Sequence, residues 1–272
     1  MALIDPLLLN SRLGSLAGRF DVDALDTCDS TSSELLRRAE RGAPAGSVVV
    51  ADRQSAGRGR RGRQWLSAAH ESLTFSVLWR FTAPASRLAG LSLAVGVGLL
   101  RALDKLGARD VFLKWPNDVL LRSGNDSAKI AGVLIELAAD RRGTQVIIGI
   151  GLNLQRPTAD MPQAAAGLCA AMPSPPERHD VLAAILCALA DIFETVAADG
   201  FIALKNEWQS RHLWQDQPVQ IIAEEGEPQA GICRGVDHDG ALLLETGSGI
   251  QRIFSGDVSL RPISNSQAMH GS

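Results

Sequence analysis

Apolar positions fall in short blocks parted by glycine, proline and small polar residues, and the period of each block predicts an element. Thr31 to Arg41 has helical spacing, opens on hydroxyl residues suited to capping and stops at Gly42. Ser47 to Ala51 is a short β-branched run and reads as a buried strand. Ser72 to Arg80 alternates in part and reads as another. Ser86 to Leu106 is rich in small and apolar residues, is closed by Gly107 and predicts one long helix. Four strands follow at Val111 to Lys114, Asp118 to Arg122, Lys129 to Glu136 and Gln145 to Leu154, with Ser123-Gly-Asn-Asp126 as a turn. Consecutive strands without helices between them imply a mostly antiparallel sheet, hence an α+β fold.

From Pro157 to Glu177 the chain turns irregular and rich in Pro and Ala. Asp180 to Ala198 is an amphipathic helix, and Phe201 to Leu213 predicts a further one. Beyond Pro218 the pattern becomes short strands at Val219 to Ala223, Ala230 to Val236, Ala241 to Glu245 and Gln251 to Phe254. These describe a small β-barrel that leans on the main domain. The expected division is therefore 1–216, 217–264 and a loose tail at 265–272.

Composition narrows the function classes. Of 272 residues, 46% are apolar and 21% charged, which is globular rather than disordered. A net charge of -3 gives no global pull toward nucleic acid. The four cysteines form no Cys-x-x-Cys pair and have no histidine at ligand spacing, so free thiols are expected instead of zinc or disulfides. The N-terminus has no basic segment before its apolar stretch, and the run from Leu88 to Leu100 is too short for a bilayer. A soluble, cytoplasmic protein with no membrane partner is the expectation.

The sharpest chemical feature is Gly57-Arg-Gly-Arg-Arg-Gly-Arg63, flanked by Gln54-Ser-Ala and by Gln64-Trp65. Its glycines let backbone N–H groups approach an anion, and its arginines offer rigid multidentate donors. The spacing also satisfies a dinucleotide-binding pattern, but nothing after it has the helical period that pattern requires. Arginines on nucleic-acid phosphates are a further reading, without a wider basic surface to support it. A solvated charged turn accounts for neither the regular glycines nor the tryptophan.

Four more segments carry polar residues where strands begin or end. In Lys114-Trp-Pro-Asn-Asp118, the lysine and the carboxylate can share a ligand, or the segment is a tight hairpin with a core tryptophan. Lys129-Ile-Ala-Gly-Val-Leu-Ile-Glu136 opens an apolar strand with a lysine that can meet a ligand or reach solvent. Gly149-Ile-Gly-Leu-Asn153 allows a close approach or a bulge. Asp29-Ser-Thr-Ser-Ser33 is either a helix cap or a rim of hydroxyls for an uncharged polar group. No Ser/His/Asp or Cys/His arrangement offers a covalent nucleophile. Cations, amide-rich loops and hydroxyls suit phosphoryl or nucleotidyl chemistry, where positioning and charge stabilisation do most of the work.

Taken in order, these segments resemble the biotin–protein ligases, together with Gly235-Val-Asp-His-Asp-Gly-Ala-Leu-Leu-Leu-Glu245 and Ser255-Gly-Asp-Val-Ser-Leu-Arg261. The likeness runs from Asp29 to Arg261. It implies a class II synthetase-like α+β catalytic domain, a mixed and mostly antiparallel sheet with flanking helices, plus a C-terminal SH3-like barrel. It implies ATP, Mg²⁺ and biotin as substrates and cofactors. It implies biotinyl-AMP as the intermediate and the biotin carboxyl carrier protein of acetyl-CoA carboxylase as the acceptor. By the resemblance, Ser30, Thr31, Ser32, Gln54, Arg58, Gly59, Arg60, Lys129 and Gly132 form the biotin site. Arg58, Arg60, Arg63, Trp65, Asn117, Lys129 and Asn153 meet ATP, Asp118 is the metal ligand, and Lys129 and Arg60 stabilise charge during reaction. Ser32 stands where an amide-bearing residue is common. The early start of the likeness leads to the expectation of a mono-functional ligase that does not bind DNA. A homodimer is left open. A lipoate–protein ligase and an Arg-loop RNA-binding module are the alternatives.

Overall fold

The computed structural model describes residues 2–140, 143–159, 163–174, 176–223, 227–255 and 258–263. The expected tail, 265–272, lies outside the described residues. Seven strands form the larger sheet: β1 (Asp21–Cys28), β2 (Ser47–Gln54), β3 (Ser72–Phe81), β4 (Val111–Lys114), β5 (Asp118–Ser123), β6 (Asp126–Asp140) and β7 (Gly143–Asn153). Their order is β1-β2-β3-β7-β6-β5-β4. Only β1 and β2 pair in parallel, so the sheet is mixed and mostly antiparallel, as expected. Helix α2 (Thr31–Glu40) links those two strands and supplies the crossover that parallel pairing needs.

The N-terminal elements add to what the sequence pattern suggested. Helix α1 (Pro6–Leu13) is capped by Asp5, whose carboxylate accepts from the Leu7 and Leu8 amides, and it buries Leu9 and Leu13. Strand β1 carries Asp21, Asp23 and Asp26 along the sheet edge, a charged border of the kind that blocks further pairing.

The two faces of the sheet differ. Leu73, Phe75 and Val77 of β3 pack with Ile148, Ile150 and Leu152 of β7 in the main core beneath α3 (Leu91–Lys105) and α4 (Arg178–Asp199). On the other face, Leu35 of α2 packs with Val49, Leu78 and Ile147. Helix α2 covers one end of that face, and the rest of it, where Thr74, Ser76, Gly149 and Gly151 lie, holds the site. Helix α4 is long and apolar enough to cross a bilayer by length, but its apolar side is core here.

Two expected helices are shorter than their patterns. The segment from Ser86 breaks into a 3-10 turn (Ala85–Leu88) and then α3, because Gly90 between them sits at φ +80°. A Cβ at Gly90 would lie 2.7 Å from the Phe201 side chain, so the close packing depends on glycine. The segment from Phe201 is a 3-10 turn (Phe201–Leu204) followed by α5 (Lys205–Ser210). It ends there because the next residues bond to the edge of β4 instead: Leu113 N–H donates to the Arg211 carbonyl and Leu213 N–H to the Leu113 carbonyl.

A second, five-stranded antiparallel sheet follows: β8 (Pro218–Ala223), β9 (Gln229–Val236), β10 (Leu242–Thr246), β11 (Gly249–Ile253) and β12 (Val258–Pro262), in the order β11-β10-β9-β8-β12. It is the small C-terminal β-unit the pattern predicted, with β12 as an additional strand. Its edge strands β11 and β12 are not paired with each other among the described residues, and the antiparallel order is consistent with the SH3-like unit expected.

Candidate active site

The polar face of the larger sheet is hollowed by missing side chains. Gly149 and Gly151 of β7 stand opposite Ser76 and Thr74 of β3, and Gly132 of β6 stands opposite Gly151. A Cβ at Gly149 would come within 2.6 Å of Ser32 Oγ, and one at Gly151 within 2.2 Å of the Trp65 indole. The glycines thus let the start of α2 and the Trp65 ring settle onto the sheet.

The start of α2 is a lattice of hydroxyls. Ser30 caps the helix by accepting from the Ser33 amide. The Gln54 carbonyl oxygen accepts from Thr31 N–H at 2.8 Å and faces Thr31 Oγ1 at 3.3 Å. Ser76 Oγ lies 2.7 Å from Thr31 Oγ1 and 3.0 Å from Ser32 Oγ. Ser30, Thr31 and Ser32 are all buried.

The arginine loop is a small hairpin. Gly59 N–H donates to the Arg63 carbonyl at 2.8 Å, Trp65 N–H donates to the Gly57 carbonyl at 3.0 Å, and Arg58 bridges Gln64. Its tip turns through Arg61 and Gly62, both at positive φ. Arg58 forms an ion pair with Glu136 at 2.6 Å. Arg60 donates to Asn117 Oδ1 at 3.3 Å and to the Ser255 carbonyl, just past β11 of the C-terminal unit.

The Lys-Trp-Pro-Asn-Asp turn joins β4 to β5, with Lys114 directly opposite Asp118. Asp118 Oδ1 is 2.6 Å from Lys129 Nζ, and Oδ2 is 3.9 Å from Lys114 Nζ. Burial pushes Lys114 down to about 8; Asp118 opposes the shift, and Arg261, Lys129 and Arg63 add to it. Lys114 also lies over the Trp214 ring, and Lys129 over the Trp65 ring. Asn117 Nδ2 donates to the Val133 carbonyl, and Asn153 Nδ2 to the carbonyls of Ala166 and Lys129. The amides of Asn117 and Asn153 therefore brace β6 at Val133 and at Lys129 itself.

Two adjoining hollows result. The narrow one, about 50 Å³, is lined by Ser30, Thr31, Ser32, Gln54, Arg58 and Gly132. The wide one, about 570 Å³, is lined by Arg63, Asp118 and Asn153. Gly59, Arg60, Trp65, Asn117 and Lys129 line both. Every residue singled out in the sequence for a ligand thus falls on one wall or the other. The wide hollow also receives Lys114, read in the sequence as sharing a ligand with Asp118, and Arg61 and Arg261, which had no assigned role; its one carboxylate is Asp118 among the described residues. The narrow hollow also receives Thr74, read in the sequence only as part of a strand. The alternation of Ser72, Thr74 and Ser76 against Leu73, Phe75 and Val77 was the available signal.

As a metal ligand, Asp118 starts from two ammonium groups at its two oxygens. A Mg²⁺ ion there would have to displace a lysine or share the carboxylate. One carboxylate among cations suits an ion that arrives on nucleotide phosphates better than one held by protein alone.

These features have counterparts in known proteins. Residues 26–153 match the Biotin/lipoate A/B protein ligase family, and residues 216–261 match the Biotin protein ligase C terminal domain. The chain is 32% identical over 257 residues to the biotin--[acetyl-CoA-carboxylase] ligase of Mycobacterium tuberculosis, covering 92% of this chain and 93% of that one. It is 34% identical over 266 residues to the bifunctional ligase/repressor BirA of Escherichia coli, covering 96% of this chain and 81% of that protein. A biotin protein ligase from Aquifex aeolicus, solved in complex with biotin and ATP, superposes with a TM-score of 0.74 at 30% identity, covering 89% of this chain and 99% of that one. The chain therefore belongs to the biotin protein ligase family, with an α+β catalytic sheet and the C-terminal sheet that accompanies it.

Proposed function

We propose that the narrow hollow takes biotin, that the wide hollow takes ATP, and that the acceptor is a lysine of the biotin carboxyl carrier protein of acetyl-CoA carboxylase. The observation that carries this reading is the shared wall. A hollow lined at one end by the hydroxyls of Ser30, Thr31 and Ser32 meets a cation-lined one at Arg60 and Lys129. The lining of the first matches the chemistry of a molecule with a polar uncharged head and a carboxylate tail, the tail at the junction. A triphosphate fits the second with its α-phosphorus at the same place.

In the first half-reaction a carboxylate oxygen attacks the α-phosphorus and pyrophosphate departs, leaving a mixed anhydride. Lys129 and Arg60 hold the carboxylate in line and stabilise the charge that gathers on the phosphoryl oxygens. Lys114, Arg63 and Arg261 receive the departing pyrophosphate. Mg²⁺, carried on the nucleotide, would neutralise phosphate charge beside Asp118. In the second half-reaction a lysine amine attacks the acyl carbon and AMP leaves.

The hydroxyl lattice favours biotin over lipoate, since a dithiolane ring has no strong hydrogen-bonding group to answer Ser30, Thr31 and Gln54. The pairing of Arg58 with Glu136, and of Arg60 with Asn117, leaves these arginines already engaged within the chain and argues against a loop that presents them to RNA. Incubation with biotin, ATP and Mg²⁺ should yield pyrophosphate and biotinyl-AMP by mass spectrometry, and added carrier protein should gain biotin on one lysine. Turnover with lipoate and none with biotin would overturn the assignment of the narrow hollow.

A further inference from the structure

Strand β3 carries a hydroxyl on every second residue of its polar face: Ser72, Thr74 and Ser76, none more than 4% exposed. Hydroxyls shut off from water normally have partners, because burial removes their bonds to solvent. Two of the three conform. Ser72 Oγ donates to the Ala68 carbonyl at 3.2 Å, and Ser76 Oγ lies within reach of Thr31 and Ser32. Thr74 does not. Its Oγ1 is buried and without a hydrogen-bond partner among the described residues. Its cross-strand neighbours are Ala51 on β2 and Gly151 on β7, which bring no polar side chain.

Thr74 also lines the narrow hollow. The Trp65 ring covers Gly151 beside it, and the Trp65 Nε1 is likewise buried without a partner. Valine would fill the Thr74 position with nearly the same shape and no desolvation cost, so packing alone does not call for a hydroxyl. Position along the strand says what part of a ligand it meets. Ser76 lies under Thr31 and Ser32, where the uncharged head is read to bind. Thr74 is two residues further, roughly 7 Å along the strand, on the way to Gly132 and Lys129.

We propose that Thr74 is a specificity-determining contact for biotin, its hydroxyl bonding a heteroatom of the bicyclic ring, either a ureido N–H or the sulfur. This rests on the reading that the narrow hollow is the biotin site.

The test compares Thr74→Val and Thr74→Ser with the parent chain in biotin-dependent ATP–pyrophosphate exchange, alongside thermal melts with and without biotin. Loss of one uncharged hydrogen bond should raise the biotin KM of Thr74→Val about three- to tenfold. The kcat and the ATP KM should stay within about twofold, and Thr74→Ser should restore the biotin KM. Without ligand, Thr74→Val should melt no lower than the parent, because an unpaired hydroxyl has been removed, while its gain in Tm on adding biotin should shrink. With desthiobiotin, which keeps the ureido ring and lacks the sulfur, a persisting penalty identifies the N–H as partner and a vanished one identifies the sulfur. An unchanged biotin KM in Thr74→Val, or a lower ligand-free Tm with all kinetic constants worsened together, would overturn the proposal and leave the function intact. A parent chain that turns over no biotin would bring down the reading of the hollow and this proposal with it.

Discussion

Asp118 holds two lysines of unequal character, and the difference sets their chemistry. Lys129, in contact with the carboxylate at 2.6 Å, stands at the junction of the hollows. Replacing it with methionine keeps most of the stem and removes the charge. Adenylate formation should fall roughly a hundredfold, about 3 kcal/mol, while transfer from preformed biotinyl-AMP should be affected less; rapid-quench assay of each half-reaction separates the two. Lys114 is 7% exposed, and burial brings it down to about 8. Its folded pKa lies below its unfolded value of 10.5, so between these limits the unfolded chain binds more protons. Its penalty on folding is complete below about 8 and is relieved as pH rises toward 10.5. Phosphate attraction runs the other way: kcat/KM for ATP should fall as pH rises through about 8, and Lys114→Arg should abolish that inflection. Lys129 and the arginines were legible in the sequence because cations in glycine-rich or apolar settings need an anionic reason. Lys114 was legible as a polar residue at a turn, but its depressed pKa was not, since burial beneath Trp214 depends on residues a hundred positions away.

At the scale of elements, the floor of the site is built by subtraction. Strands β3 and β7 put small residues where a sheet normally puts large ones, and Trp65 occupies the space so made. Gly151→Ala should force the indole off the sheet or strain it, at a cost of about 1–3 kcal/mol, and should weaken biotin binding in calorimetric titration; unchanged affinity would mean that the ring has no part in closing the hollow. The strands and α2 were readable because local period and caps specify them. The limits of α3 and α5 were not. Gly90 breaks one helix to fit Phe201, and the edge of β4 takes the backbone bonds that would have extended the other. Both are decisions of tertiary packing, and they override a helical pattern that is locally sound.

In the whole molecule, the C-terminal sheet is seated on the catalytic one at a few specific contacts. Trp115 is fully buried, and its Nε1 donates to the Gly240 carbonyl at 3.0 Å. Gly240 itself sits close against Gly90 at the head of α3. His212 lies stacked on Trp208 beside Cys233, and burial, with Lys114 nearby, holds it down to about 3, so it stays neutral across the physiological range. Trp115→Phe should leave the Gly240 carbonyl unpaired and cost about 1–3 kcal/mol, seen as a Tm lower by several degrees. An unchanged Tm would show that the contact adds nothing to the seating of the two sheets. The sequence announced this second unit through its change of pattern after Pro218, but no residue in it signalled that Trp115 would be its anchor.

The wall shared by the two hollows has a thermodynamic consequence. Whatever free energy one ligand spends in fixing Arg60, Trp65 and Lys129 is no longer owed by the other, so the two should bind with positive cooperativity. Reciprocity then demands that the factor by which biotin tightens a nonhydrolysable ATP analogue equal the factor by which the analogue tightens biotin. Because Arg60 also reaches the Ser255 carbonyl, the same coupling should be felt in the segment that follows β11. A carrier protein docking there would meet a surface whose rigidity reports how full the site behind it is.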